Sequence, residues 1–185
     1  MPAGTESNPA RLTRARALTV HVVPHTHWDR EWYLPAGRFR QRLVALIDGL
    51  LNGTPAQGES FLLDGQAVVL EDYLEVRPDR AHELRARLAA GALEAGPWYV
   101  LADELIPSAE ALVRNLHAGQ RVLRRLGATC PPVLYSTDAF GPPAALPTLA
   151  HEFGLPLVIL WRGLGGELWP EGDTFRWRAP AGVET

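Results

Sequence analysis

Sulfur is nearly absent from this sequence: one methionine and one cysteine, Cys130, in 185 residues. A single cysteine excludes an intrachain disulfide framework and fits a reducing compartment. Cys130 precedes Pro131-Pro132 with no thiol nearby, so it reads as an ordinary free thiol. Excess charge is lacking too. The formal net charge is −3, which leaves no basic footprint for nucleic acid or for an anionic membrane surface. No apolar run approaches the ~18 residues of a membrane span. Residues 1–16 are polar and Arg-containing, and no apolar stretch of a secretory leader follows them. The expectation is a cytoplasmic protein. What is plentiful is proline, with sixteen, and tryptophan, with six. Several tryptophans stand among polar residues, as on sugar-binding surfaces. With 46 % hydrophobic and 21 % charged residues, the chain suits one domain with a sizeable core.

Residues 1–16, rich in Gly, Pro, Ser and Asn, read as a flexible tail before a domain over 17–185. Leu18 to Val23 is a β-branched run closed by Pro24, the pattern of a buried strand. Phe39, Leu43, Leu46, Ile47, Leu50 and Leu51 fall at helical spacing, and Asn52-Gly53 ends that helix. Phe61 to Leu63 reads as a strand, and Val68 to Val76 as a helix. Asp79 is placed to cap a helix carrying Leu84 and Leu88, with Gly91 as its stop. Pro97 to Leu101 reads as a third strand. Ser108 caps a long helix with Leu112, Leu116, Leu123 and Leu126 inward, ended by Gly127. Val133 to Tyr135 is a fourth strand, and Ala144 to Phe153 a helix stopped by Gly154. Leu157 to Leu160, uniformly apolar, reads as a strand buried on both faces. Thr174 to Arg178 is a candidate edge strand.

This alternation predicts an α/β fold, a parallel sheet with helices covering it. Asp29, Asp64, Asp103 and Asp138 each follow an expected strand, at intervals of 35, 39 and 35 residues. Parallel α/β folds bind ligands at the carboxyl ends of their strands, so these four acids are expected to converge. Aspartate also favours turns for its own sake, which is the plain alternative for each of them.

The densest chemistry lies in His25-Thr26-His27-Trp28-Asp29-Arg30-Glu31-Trp32. A core has no use for that mixture, because such side chains are costly to bury unpaired. His25, His27 and Asp29 alternate, so extended backbone points them to one side. Imidazole with carboxylate suits zinc. Five consecutive residues do not close a tetrahedron, so a ligand from elsewhere is needed. Asp138, followed by Ala139-Phe140-Gly141, is the best candidate, and His25 has the alternative role of bracing the loop.

Taken together, His27-Trp28-Asp29-Arg30-Glu31-Trp32, Leu63-Asp64-Gly65-Gln66, Trp98 to Glu104 and Asp138-Ala139-Phe140-Gly141 stand in a familiar order. From about residue 18 onward the chain resembles the N-terminal catalytic domain of the family 38 glycoside hydrolases, the α-mannosidases, and most of all their intracellular bacterial branch. The resemblance implies the N-terminal part of an incomplete (β/α)7-type barrel with helices on its outer face. It implies one Zn²⁺ held by His27, Asp29 and Asp138, which favours His27 over His25. Asp138 would also be the nucleophile of a retaining hydrolysis of terminal α-mannosides in mannose-containing oligosaccharides. Trp32 matches the aromatic floor of the sugar site, Phe140 would line it, and Arg162 would bond the nucleophile or a sugar hydroxyl. A fourth zinc ligand and a general acid/base are expected beyond Thr185, so the chain is expected to be an inactive fragment by itself. Ala102 replaces a common proline, and Pro142-Pro143 stand where relatives carry a polar residue. Two other readings are a zinc-dependent carbohydrate deacetylase and a non-catalytic sugar-binding module.

Overall fold

The computed structural model describes residues 19–53, 59–163 and 174–185. The expected tail, Leu18 and most of the Gly-rich segment after Arg162 lie outside them. The described chain is α/β, built from short parallel strands and outer helices. In order these are α1 (Ala36–Asn52), β1 (Phe61–Leu62), α2 (Val68–Val76), a 3₁₀ turn (Pro78–Arg80), α3 (Ala81–Ala89), β2 (Leu93–Glu94), α4 (Ala109–Leu126), β3 (Val133–Ser136), α5 (Leu146–Glu152) and β4 (Leu157–Leu160). β1 pairs with β2, and β3 with β4, both in parallel. The approach to β1 is extended as well: Leu62 donates its N–H to the Pro24 carbonyl at 3.0 Å, and Thr26 donates to the Leu62 carbonyl at 3.1 Å.

The helices follow their apolar periodicity. α1 buries Phe39, Leu43, Ile47 and Leu51 at the i, i+4 spacing of one face. α4 starts where Ser108 Oγ accepts the Ala111 N–H at 3.2 Å, and it ends at Gly127, whose φ of 73° is left-handed. One core gathers α1, α2 and α3 around Leu63, Leu70, Tyr73 and Leu84. A second lies under α4 and α5, around Trp98, Leu116, Leu134 and Leu146. Burying such a leucine contributes about 1.5–3 kcal/mol. Cys130 touches both cores, and burial pushes its thiol up, away from the thiolate.

Several expectations need correction. Residues 19–23 form no strand, and Val20 and Val22 are about four-fifths exposed. Backbone pairing begins only at Pro24, so the run lacks a neighbour to bury it. Pro97 to Leu101 is also not a strand. It makes one parallel bridge, Trp98 to Gln66, and then the Asn115 side-chain oxygen takes the N–H groups of Tyr99 and Val100 at 2.9 and 3.0 Å. The strand in that region is β2, a few residues earlier. β4 is not buried on both faces, because Leu157 and Ile159 are half exposed. Asp79 caps no helix; it pairs with Arg77 within the 3₁₀ turn. α5 begins at Leu146, two residues later than expected. Residues 174–178 hold one antiparallel bridge, Arg178 to Glu184, rather than an edge strand.

Candidate metal centre

The end of β3 and the segments that follow the His25 and Trp98 bridges face one cavity of about 310 Å³, to which Asp29, Asp103 and Asp138 all contribute. Asp138 follows β3. Asp29 follows the bridge of His25 to Leu62, and Asp103 follows the bridge of Trp98 to Gln66. The fourth aspartate of the series, Asp64, lies just behind, fully buried in the turn after β1. The regular spacing along the chain therefore does become proximity.

His27, Asp29 and Asp138 each offer a ligand atom within 4.8 Å of the other two. His27 Nε2 lies 3.2 Å from Asp138 Oδ2 and 3.6 Å from Asp29 Oδ1. Ligand atoms at about 2.1 Å from a tetrahedral zinc stand about 3.4 Å apart, so the two His27 distances suit the ion, as does the chemistry of the donor set. His25 is not part of the group. Its Nδ1 lies 3.4 Å from the Tyr135 hydroxyl.

Arg162, just after β4, places Nε 2.6 Å from Asp138 Oδ1, and its guanidinium sits 5.1 Å from the Phe140 ring centre. Trp32 is three-quarters exposed, edge-on to Tyr33, and lines neither cavity of this face. Phe140 is exposed and also off both walls. Trp28 lines the first cavity, and Trp161 lines a second, more apolar groove of about 660 Å³ that also reaches His27, Asp138 and Arg162.

Arg30, from the same stretch over residues 25–32, is scaffold. Arg30 donates from Nε and Nη2 to the two carboxylate oxygens of Asp72 at 2.7 and 3.0 Å, and Arg40 adds a third bond at 3.0 Å. Burial alone would raise the Asp72 carboxyl, but Arg30 and Arg40 together hold it below the usual carboxylate range. This fork pins the loop to α2.

Residues 17–184 match the family described as glycosyl hydrolases family 38, N-terminal domain. The chain belongs to glycosyl hydrolase family 38. A Halalkalibacterium halodurans protein bearing the name of a mannosylglycerate hydrolase is 40 % identical over 79 % of this family 38 chain. Alpha-mannosidase F of Dictyostelium discoideum is 24 % identical over 78 % of it. Among solved structures, an alpha-mannosidase from Enterococcus faecalis V583 superposes with a TM-score of 0.80 at 34 % identity, covering 88 % of the chain. A second family 38 protein from Enterococcus faecalis gives 0.68 at 31 % identity, also over 88 %. The chain spans only 16 % and 15 % of the two sequence relatives and 19 % and 17 % of the two structures.

In this family 38 chain three residues at the site carry roles that residue-by-residue reading missed. Gln66 donates from Nε2 to the Trp28 carbonyl at 2.6 Å and to Asp64 Oδ2 at 3.1 Å, locking two motifs together. Glu104 is buried on the cavity wall, where its Oε1 accepts the Ser136 hydroxyl at 2.6 Å and burial pushes its carboxyl up. Trp98 donates from Nε1 to the Tyr135 carbonyl at 3.0 Å, tying the segment before Asp103 to β3. The signal for all three was their presence inside the recurring motifs; none announces its partner locally.

Proposed function

We propose that this family 38 domain carries the nucleophile and most of the metal ligands of a retaining, zinc-dependent α-mannosidase. The observation that carries the reading is the meeting of His27, Asp29 and Asp138, drawn from the segment after the His25 bridge and from the end of β3 more than a hundred residues later, with Arg162 beside Asp138 Oδ1. His27, Asp29 and Asp138 would hold Zn²⁺ through Nε2, Oδ1 and Oδ2, and the ion would supply a Lewis-acid clamp for adjacent sugar hydroxyls. An Asp138 oxygen attacks the anomeric carbon while the glycosidic C–O bond breaks, and the leaving oxygen takes a proton from a second carboxyl. Water then cleaves the mannosyl-aspartate ester, returning its proton to that carboxyl and restoring the original anomeric configuration. Arg162 neutralises and orients the carboxylate through both half-reactions. Trp32, and Phe140 beside Arg162, are exposed and would take the C–H face of a sugar ring.

The wider reading follows the same line. The parallel strand pairs with outer helices fit the N-terminal part of an incomplete (β/α)7-type barrel over 17–185. The sparse cysteine fits a cytoplasmic protein acting on mannosides. Among the described residues no helix is long and apolar enough to cross a membrane. The family match leaves the deacetylase reading without a supporting observation.

The test uses the protein at the full length of its reading frame and p-nitrophenyl α-D-mannoside. Asp138→Asn is expected to lower kcat by roughly 10³-fold or more, and a fluorinated mannosyl fluoride is expected to label Asp138 in the wild type. Metal analysis is expected to find Zn²⁺ in the wild type and much less in Asp29→Ala. Unchanged hydrolysis by Asp138→Asn would reject the nucleophile; equal zinc in both proteins would reject the ligand assignment.

A further inference from the structure

The His27 ring has carboxylates on both sides. Nε2 faces Asp138 and Asp29, while Nδ1 lies 3.7 Å from Asp64 Oδ2. Asp64 is fully buried and is not part of the wall of the metal-site cavity. Its Oδ2 accepts the backbone N–H of Trp28 at 2.8 Å and the Gln66 amide at 3.1 Å. Its Oδ1 is buried with no hydrogen-bond partner among the described residues. The imidazole lies nearest the other oxygen, Oδ2, at 3.7 Å, where its N–H would be a third donor beside Trp28 and Gln66 once the ring turns toward it.

The backbone geometry points the same way. Asp64 holds the peptide N–H directly after His27, so one carboxylate fixes the backbone at this residue and faces its ring. Asp64 adopts a left-handed φ of 55°, unusual for a non-glycine residue, in the turn that puts its carboxylate under the loop. A ring nitrogen that donates to a carboxylate leaves the other nitrogen bare and aimed, as a metal ligand needs.

We propose that Asp64 is a positioning residue of the metal centre: it accepts the His27 Nδ1–H and thereby presents a bare Nε2 to the ion beside Asp29 and Asp138. This rests on the metal reading given above. Asp64 touches neither ion nor sugar.

The test uses the protein at the full length of its reading frame, ¹⁵N-labelled at histidine and loaded with Zn²⁺ alone. Long-range ¹H–¹⁵N spectra are expected to show His27 metallated at Nε2, with a downfield, slowly exchanging proton on Nδ1. Asp64→Asn, which replaces one acceptor oxygen by a donor, is expected to lose that resonance. Competition with a chelating dye is expected to show Zn²⁺ affinity lowered roughly 10- to 100-fold. Zinc bound with a freely exchanging Nδ1 proton, or zinc on Nδ1 itself, overturns the role of Asp64 while leaving the metal reading intact. Failure of the wild type to bind zinc overturns the metal reading and this inference with it. Should Asp64→Asn not fold, the wild-type spectrum alone decides.

Discussion

Asp72 shows how sharply neighbouring residues can divide their duties. Asp29 opens toward the cavity, whereas Arg30, the next residue, turns back to Asp72 on α2. With its folded-state carboxyl held low, Asp72 stabilises the fold fully above the ordinary carboxylate range near pH ~4, and that contribution is lost as pH falls below it. Asp64 and Glu104 act with the opposite sign. Burial raises both, so their contribution is full at low pH and is lost as pH rises from ~4 through their folded values. Asp72→Asn is expected to cost about 1–3 kcal/mol at pH 7 and to weaken the acid-induced loss of stability as pH falls below ~4. Urea unfolding at pH 7 and pH 3 checks both; equal losses at the two pH values would contradict the assignment. At this scale the sequence was informative where a residue's role is set by its own type and spacing. The aspartates at 29, 64, 103 and 138 announced their convergence. The partnership of Arg30 with Asp72, 42 positions away, left no local trace.

The elements were legible in proportion to their length. α1, α2 and α4 carry enough turns for one apolar face to repeat, so their limits follow from periodicity and from Ser108 and Gly127. The strands are two to four residues long, too short for a pattern, and pairing partners decide where they fall. The stretch from Pro97 illustrates the point. It has a strand's composition, but α4 intercepts its hydrogen bonds through Asn115 and approaches very closely at Gly119. A Cβ at Gly119 would meet the Pro97 carbonyl oxygen at 2.2 Å and the Trp98 carbonyl carbon at 2.4 Å, both rigid backbone atoms. Gly119→Ala is therefore expected to destabilise by about 1–3 kcal/mol, although alanine is the better helix former. A urea midpoint equal to or above the wild type would show that the two segments separate easily.

For the whole molecule, composition and alternation identified the α/β class and the shared mouth, while burial could not be inferred from apolarity alone. Val20, Val22, Leu157, Ile159 and Trp161 are apolar yet exposed, and the relatives that match this chain are about five times longer. An apolar run states that a segment can be covered; it does not name the cover. The strand ends make a different division plain. The acids of the candidate site follow the His25 bridge and the end of β3, whereas the return from α4 to β3 runs through Gly127 and Thr129, which are exposed. Chemistry and connection are thus separately editable. A four-residue Gly-Ser insertion between Thr129 and Cys130 is expected to cost well under 1 kcal/mol and to leave Zn²⁺ affinity within about two-fold. The same insertion between Asp138 and Ala139 is expected to abolish binding, and dye competition on the two proteins checks it. Lineages can lengthen, shorten or replace the returns while inheriting the rim of this cavity unaltered, so divergence should collect on one end of this domain.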